Sequence, residues 1–171
     1  MRVTIETERL ILRQLLPEDY MAAFKWCSDP KVNKYLIYTL YDRPEDVKLW
    51  LESRDIDDPD NYDLGFVLKE TGEIIGGGGL TYDKDKDVWI IGYNLLYNYW
   101  GKGYTTEAMQ AIIDYISKTR KINVIEGIFA KENTGSRRIM EKLGMQYVKD
   151  TEYEKCDKSE RFEAELYRRE F

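Results

Sequence analysis

The residues best suited to chemistry are the glycines of a short turn between an apolar segment and an amphipathic one. The turn is Gly101-Lys102-Gly103, and Tyr104 and Thr105 open the helix predicted after it. Glycines permit a tight turn without Cβ atoms, so the free N–H groups of the turn and of the first helical turn can point to one place. The positive end of the helix dipole adds to these donors. The turn therefore predicts a phosphate or pyrophosphate site, with the charge of Lys102 beside it.

Other phosphate-binding motifs fit this turn less well. A P-loop requires G-x-x-x-x-G-K-[ST], which the chain lacks. A dinucleotide-binding turn requires a third small residue where Thr106 stands, and it usually opens a βαβ unit, whereas this turn follows several hairpin strands. A plain strand-to-helix turn without a ligand is the other interpretation of a bare G-x-G pair.

Composition limits the chemistry that is available. The chain has no histidine, which excludes a Ser-His or Cys-His catalytic pair and any histidine-ligated zinc site. Cys27 and Cys156 are far apart and outside any C-x-x-C motif, so we expect neither a disulfide framework nor a metal site. A formal net charge of −6 argues against general nucleic-acid binding. The same charge mildly favours cationic substrates such as amines, although it also serves solubility alone.

Length and hydropathy favour one soluble domain. A length of 171 residues suits one domain with one core, which we assign to residues 1–171. No apolar run approaches the roughly 20 residues that a membrane span needs. The N-terminal segment is charged and lacks the apolar core of a signal peptide. We therefore expect a cytoplasmic protein with no membrane partner.

The hydrophobic period changes along the chain and defines the elements that must position the glycine turn. Alternation predicts a first strand, helical spacing then predicts helices, and the middle is typical of a hairpin followed by an apolar central strand. After the turn come the best helix, a strand, a further helix and two last strands. The predicted strands cover 6–15, 64–69, 73–82, 88–96, 122–130, 145–151 and 161–169. This order predicts a mixed α/β (α+β) domain around one sheet.

Four consecutive glycines, Gly76 to Gly79, lie in the third predicted strand. Glycine weakens a strand, so the close approach of a backbone or a ligand is one explanation for the run. A bulge or loose packing is the other explanation.

Several segments carry a family resemblance. Residues 91–113, IGYNLLYNYWGKGYTTEAMQAII, resemble the coenzyme A pyrophosphate loop of the GNAT family of N-acetyltransferases, which has [RQ]-x-x-G-x-[GA] after a strand. Residues 132–145, ENTGSRRIMEKLGM, resemble the N-x-x-S helix and the following K-x-G-[FM] of that family. Residues 7–20 and 28–36 resemble the opening of the subgroup of RimJ- and RimL-type protein N-terminal acetyltransferases. The resemblance covers nearly the whole chain in order, and the ordered set is specific.

The resemblance implies a fold and a cofactor. The fold would be a GNAT-like acyl-CoA N-acyltransferase fold with about seven strands in a mixed, mostly antiparallel sheet flanked by helices. A V-shaped splay would separate the fourth and fifth predicted strands, 88–96 and 122–130. Acetyl-CoA (coenzyme A) would be the acyl donor, with its pantetheine arm in the V and without a metal. The residues expected to bind it are Leu95, Leu96, Asn98, Gly101, Lys102, Gly103, Tyr104, Thr105, Asn133 and Ser136.

Two catalytic roles follow from the resemblance. The N–H of Leu95 would hold the thioester carbonyl oxygen, where negative charge grows during attack. Ser136, at the N-x-x-S position, would protonate the leaving thiolate, although a serine in the first turn of a helix can also simply bond the backbone. The chain departs from the family pattern at three positions. Asn98 replaces the usual Arg or Gln, Ile90 replaces the strand glutamate that many members use as base, and Met140 replaces a tyrosine.

The predicted reaction is direct attack of a primary amine on acetyl-CoA in a ternary complex. The subgroup implies a protein N-terminal α-amine, such as that of a ribosomal protein, as the acceptor. The chain itself would be a monomer or a homodimer. A polyamine or aminoglycoside-like amine, a non-catalytic acyl-CoA-binding module and a nucleotide-binding oxidoreductase are the alternatives. A carboxylate acting through a water would take the amine proton, and the candidates are Glu73, Glu163 and Glu165. The aromatic residues that would either wall the acceptor pocket or belong to the core are Trp26, Tyr35, Tyr38 and Tyr41.

Overall fold

The strands of the protein form one sheet, and the helices cover both of its faces. The computed structural model describes residues 2–171. Its strands are β1 (Thr4–Glu6), β2 (Leu10–Arg13), β3 (Asn61–Leu68), β4 (Ile74–Asp83), β5 (Val88–Leu95), β6 (Val124–Ala130), β7 (Gln146–Glu154) and β8 (Arg161–Glu170). Its α-helices are α1 (Tyr20–Cys27), α2 (Pro30–Asn33), α3 (Pro44–Ser53), α4 (Tyr104–Thr119) and α5 (Thr134–Lys142). None of the helices in this described range is long and apolar enough to span a membrane.

The sheet has the order β1-β2-β3-β4-β5-β6-β8-β7. Every neighbouring pair is antiparallel except β5 and β6, which run parallel. The mixed, mostly antiparallel sheet is therefore confirmed, with eight strands where about seven were predicted. The additional strand is β1, which lies before the predicted first strand, 6–15, except at Glu6. A turn in which the Thr7 N–H donates to the Leu10 carbonyl over 2.9 Å separates β1 from β2.

The two parallel strands separate soon after they meet. β5 and β6 pair only at Trp89 with Ile125 and at Ile90 with Glu126. Beyond these positions β6 stays paired with β8 along its whole length, from Val124 to Ala130. The predicted V-shaped splay is confirmed, and it leaves a gap along one edge of β5 after Ile90.

The two faces of the sheet carry different helices, and we name the faces after them. On the α4 face, α4 and α5 pack against Trp89 and Ile91 in the main hydrophobic cluster. On the α1 face, α1 and α3 pack in a second cluster with Leu15 and Ile74. Since side chains alternate along a strand, Ile90 and its neighbours two residues away point to the α1 face.

The glycine run in β4 permits a close approach of the neighbouring strands. A Cβ atom at Gly76 or Gly78 would lie within 3 Å of carbonyl oxygens of β5, and one at Gly79 would meet the carbonyl of Tyr62 in β3. The close approach of backbone, one of the two explanations offered above, therefore accounts for the run.

Candidate active site

The glycine turn before α4 has the geometry of an anion site. Gly101 and Gly103 have φ angles of 75° and 80°, in the left-handed region that favours glycine. Gly103 is the N-cap of α4, and no side chain caps the helix there. The N–H groups of Tyr104, Thr105 and Thr106 precede the first intrahelical bond, which runs from the Glu107 N–H to the Gly103 carbonyl. These donors and the helix dipole face outward from the turn and can receive a phosphate.

A network from the first strands braces this turn. The Glu107 carboxylate accepts hydrogen bonds from the Thr7 hydroxyl at 2.7 Å, the Arg9 N–H at 2.9 Å and the Arg9 Nε at 2.7 Å. The Arg9 guanidinium also donates to the Lys102 carbonyl at 2.9 Å and lies 4.1 Å from the ring centre of Tyr104. The interruption of the first strand therefore places Arg9 against the turn. Sequence reasoning missed this contact because nothing local links residues nearly 100 positions apart.

Replacement of Glu107 by glutamine tests the brace. Burial raises the pKa of Glu107, but the bonds from Thr7 and Arg9 outweigh it and hold the pKa below its usual value. A lowered pKa stabilises the fold at pH values above the unfolded pKa near 4.5, and this contribution is lost as the pH falls through the folded pKa. We expect Glu107→Gln to lower the free energy of unfolding by about 1 kcal/mol at pH 7, after a discount for the solvent exposure of Arg9.

Urea unfolding of both proteins at pH 7 and at pH 3 measures this effect. The difference between wild type and Glu107→Gln should shrink at pH 3, whereas an equal difference at both pH values would contradict the brace. Glu152→Gln is the matched control because the Glu152–Arg161 pair is exposed and remote from the turn. It should change stability little at either pH.

The gap between β5 and β6 exposes backbone groups of β5. The Leu96 N–H donates to the Ile75 carbonyl of β4 over 2.8 Å. Because antiparallel residues alternate in direction, the N–H of Leu95 points away from β4 and into the gap. The Leu95 carbonyl points the same way and accepts a bond from Trp100 Nε1 at 2.7 Å.

Leu95 and Leu96 differ in which of their backbone groups remain available to a ligand. Leu95 retains an N–H group that faces the gap, as an oxyanion donor requires. The backbone of Leu96 is engaged on both sides, because its N–H binds Ile75 and its carbonyl accepts from the Tyr99 N–H at 3.0 Å. The expected pairing of Leu96 with the cofactor arm is therefore not supported.

Ser136 and Asn133 lie on the opposite side of the gap, at the start of α5. The Asn133 side chain caps the helix by accepting a hydrogen bond from the Ser136 N–H at 3.1 Å. The Asn133 amide nitrogen donates to no described residue and remains available to a ligand. Ser136 is buried, and its hydroxyl is therefore held in a defined place.

Tyr93 of β5 reaches across the gap to Ser136. The two hydroxyl oxygens are 2.6 Å apart, and either can be the donor. Burial raises the pKa of Tyr93 to about 12, so the phenol stays protonated at neutral pH. When Tyr93 donates to Ser136, the serine proton is free to point at a third group. Sequence reasoning missed this pair, although strand alternation from Ile91 places Tyr93 on the α4 face.

The remaining predicted residues occupy different surroundings. Glu73 is held by the Tyr99 hydroxyl and lies 3.7 Å from Lys25 Nζ. It lines a cavity of about 470 Å³ together with the exposed Asn98, beyond the end of β5. Glu163 and Glu165 point to the α4 face, where Glu165 accepts a bond from an α5 arginine at 2.8 Å. Glu73 thus stands beside α1 near the end of β5, whereas Glu163 and Glu165 lie on the opposite face of the sheet.

The four aromatic residues proposed for the acceptor pocket or the core lie in different surroundings. Trp26 is 3% exposed and belongs to the core, and Tyr41 packs against the same cluster. Tyr35 packs edge-on against Phe162, with ring centres 5.8 Å apart. Tyr38 alone among the four is highly exposed, at 62%, and is a candidate wall for a pocket on the α1 face.

A sheet splayed between two parallel strands, with a glycine turn at the following helix, defines the class of acyl-CoA-dependent N-acyltransferases that the sequence resembles. A model of the acetyltransferase (GNAT) domain matches residues 9–146, and the chain belongs to this family. An uncharacterized N-acetyltransferase, p20 of Bacillus licheniformis, is 34% identical over 147 residues, which are 84% of this chain and 82% of that protein.

Solved structures agree with this assignment. A GNAT-family acetyltransferase from Bacillus anthracis is similar with a TM-score of 0.82 and 26% identity, over 98% of both chains. RimL, a ribosomal L7/L12 alpha-N-protein acetyltransferase, shares the fold with a TM-score of 0.80 and 16% identity, over 100% of this chain and 96% of that one. The protein is therefore an acetyltransferase. Within residues 2–171, no cluster of three or more acidic, cysteine or histidine side chains is arranged to hold a metal ion.

Proposed function

We propose that this acetyltransferase moves the acetyl group of acetyl-CoA to a protein N-terminal α-amine. The gap between β5 and β6 carries the proposal, because the Leu95 N–H and the Ser136 hydroxyl face it from opposite sides. Gly101, Lys102 and Gly103 would hold the pyrophosphate, and Tyr104 and Thr105 would add N–H groups of the first turn of α4. This arrangement suits an extended acyl carrier with an anionic head and a thioester at its end.

The chemistry follows from the two sides of the gap. In this proposal, the Leu95 N–H donates to the thioester oxygen and stabilises the negative charge that grows there during attack. Ser136 donates its proton to the departing thiolate, and Tyr93 orients the serine. Asn133 binds the cofactor arm through its free amide nitrogen. Positioning of the two substrates supplies a large part of the rate.

The α1 face supports an acceptor larger than a small amine. Exposed apolar side chains line it on both the sheet and the loop after α2, among them Ile37, Tyr38, Leu40, Ile90 and Ile128. Exposed apolar surface around a cleft marks binding of another molecule. The likeness to RimL, whose described substrate is a protein N-terminus, agrees with this choice. We also retain residues 1–171 as one catalytic domain.

An acceptor panel tests the proposal. The purified protein and acetyl-CoA are incubated separately with hexapeptides that begin with alanine, serine or methionine, and with spermidine and kanamycin. Free thiol release gives the rate, and mass spectrometry locates the acetyl group. We expect acetylation of the peptide α-nitrogen. Turnover of spermidine or kanamycin alone would reassign the acceptor to small amines. Thiol release without acetylation of any acceptor would show hydrolysis only and would contradict the transfer reaction.

A further inference from the structure

We propose that Glu126 is the catalytic base, taking the place of the strand glutamate for which this chain has Ile90. The proposal rests on the proposed function, because it concerns the proton of the acceptor amine. Glu126 was not among the carboxylates predicted from sequence. Only the register of the sheet brings the two positions together.

The register places Glu126 at the point where the gap opens. Ile90 and Glu126 are direct partners in the last paired position of β5 and β6. In a parallel pair, side chains of partner residues point to the same face, so both point to the α1 face. Gly127, the next residue, faces Met140 of α5 on the other side. The backbone of Glu126 thus lies one strand spacing, about 5 Å, from the position of Ile90, where many family members have a glutamate.

The contacts of Glu126 fix its position through one carboxylate oxygen and leave the other oxygen available as a base. Arg168 of β8 donates to Oε1 of Glu126 through Nε at 3.0 Å and also through a terminal nitrogen. No described residue donates to Oε2, which remains available as a proton acceptor. The Glu126 side chain is only 12% exposed, so its position is well defined.

Glu126 lines a cavity of about 370 Å³ on the α1 face. Ile128, Val148 and Leu166 provide its apolar wall, and Lys86 and Lys149 stand at its edge. The β7–β8 register shifts between Tyr147 and Lys149, so Val148 is the extra residue of a bulge. Bulges re-aim side chains and are frequent beside active sites. The cavity suits an acceptor whose amine lies next to an apolar side chain.

The charges around Glu126 favour loss of a proton from the amine. Arg168, Lys86 and Lys149 are the cationic groups that line this cavity, and they contribute from three different elements. Positive charges disfavour an ammonium relative to a neutral amine. This effect assists loss of the proton from the amine.

Two strands, β4 and β5, separate another carboxylate of the α1 face from the gap. Asp63 of β3 pairs with Gly79, which in turn pairs with Gly92 of β5. Two strand spacings therefore place its backbone about 10 Å from β5. Asp63 is also held by Arg54 at 2.9 Å. Desolvation raises the pKa of Asp63 despite the nearby Arg54.

The proposed step balances without a further reactant. Leu95 lies five strand residues, roughly 16 Å, beyond Ile90. The acceptor ammonium therefore gives one proton through bridging water to Oε2 of Glu126, which releases it to solvent. The amine then forms an N–C bond with the acetyl carbon, the C–S bond breaks, and the thiolate takes a proton from Ser136. The nitrogen loses its second proton to solvent, and Ser136 regains one, so that amide, coenzyme A thiol and one released proton result.

Glu126→Gln tests the proposal with acetyl-CoA and an alanine-initiated hexapeptide. A variant without the base depends on amine that is already neutral in solution, and α-amines have a pKa of about 7.7–8.0. We expect kcat/KM to fall about a hundredfold at pH 6.5, the lower end for general base catalysis, and the loss to shrink above pH 8. A purely structural role would give the same loss at every pH.

Relocation of the carboxylate provides the decisive second variant. Ile90→Glu in the Glu126→Gln background should restore at least a tenth of the activity, because it returns a carboxylate to the same corner of the gap. Asp60→Asn, another carboxylate paired with arginine, is the control and should leave kcat/KM unchanged. If unpaired Arg168 destabilises the protein, Glu126→Gln with Arg168→Gln leaves no unpaired charge and should show the same pH-dependent loss.

Two results would overturn the proposal. Full activity of Glu126→Gln at pH 6.5, with the hexapeptide still acetylated by wild type, would remove Glu126 while leaving the proposed function intact. A loss that is independent of pH and not rescued by Ile90→Glu would assign Glu126 a structural role. Failure of wild type to acetylate the hexapeptide would instead contradict the proposed function.

Discussion

Ser136→Ala should lower kcat about a thousandfold, within the range for loss of a general acid, while the KM for acetyl-CoA changes little. The expectation follows from the position of Ser136 on the gap and from its 2.6 Å contact with the Tyr93 hydroxyl. The alanine variant should fold, because the helix cap uses the backbone N–H of residue 136, which remains. Steady-state kinetics with acetyl-CoA and the hexapeptide measure the effect.

A matched serine and a double-mutant cycle separate this role from general damage. Ser117 of α4 donates to the Ile113 carbonyl at 2.8 Å and lies away from the gap, so Ser117→Ala should keep full activity. Tyr93→Phe should cost about tenfold, and it should add little to Ser136→Ala because the tyrosine acts through the serine. Full turnover of Ser136→Ala, or independent effects of the two changes, would contradict the arrangement.

Gly103→Val should weaken acetyl-CoA binding about a thousandfold. Gly103 has a φ of 80°, which costs an L-residue about 1–2 kcal/mol and a β-branched residue more. Relaxation of that strain would turn the N–H groups away from the phosphates, and each charge-assisted bond is worth about 1.5–3 kcal/mol. A combined loss of about 4 kcal/mol corresponds to the expected change in Kd. Calorimetric titration with acetyl-CoA measures it.

Gly72→Val is the control for backbone strain. Gly72 has a φ of 74° in the turn between β3 and β4, and a Cβ atom there meets nothing within 4 Å. The two variants should lose similar thermal stability, but Gly72→Val should bind acetyl-CoA like wild type. Equal affinity of Gly103→Val and wild type would mean that the turn does not hold the cofactor.

The fold could be predicted from the sequence largely because its signals are local. Alternation, helical spacing and the glycine turn identified the order of elements, and the ordered motifs indicated the splay between β5 and β6. The predicted first strand was wrong at 7–9 because the turn there depends on Glu107, which lies in a distant helix. Local strand propensity carries no information about a hydrogen-bond partner so far away in the chain.

The proton chemistry of the site could not be predicted for the same reason. Ile90 indicated only that a carboxylate was missing, and the sequence alone does not show which residue of another strand lies beside it. The register that places Glu126 beside Ile90, and the reach of Tyr93 to Ser136, both depend on elements joined by the crossover through α4. Leu96 was assigned a cofactor contact because the motif does not reveal which N–H groups of β5 face β4.

A crystal structure of the protein with acetyl-CoA would test the central claim most directly. The pantetheine arm should lie in the gap between β5 and β6, with the Leu95 N–H about 3 Å from the thioester oxygen. The sulfur should lie within about 4 Å of the Ser136 hydroxyl, as a hydrogen bond to sulfur requires. A cofactor bound outside the gap, or a sulfur out of reach of Ser136, would contradict the assignment of this site.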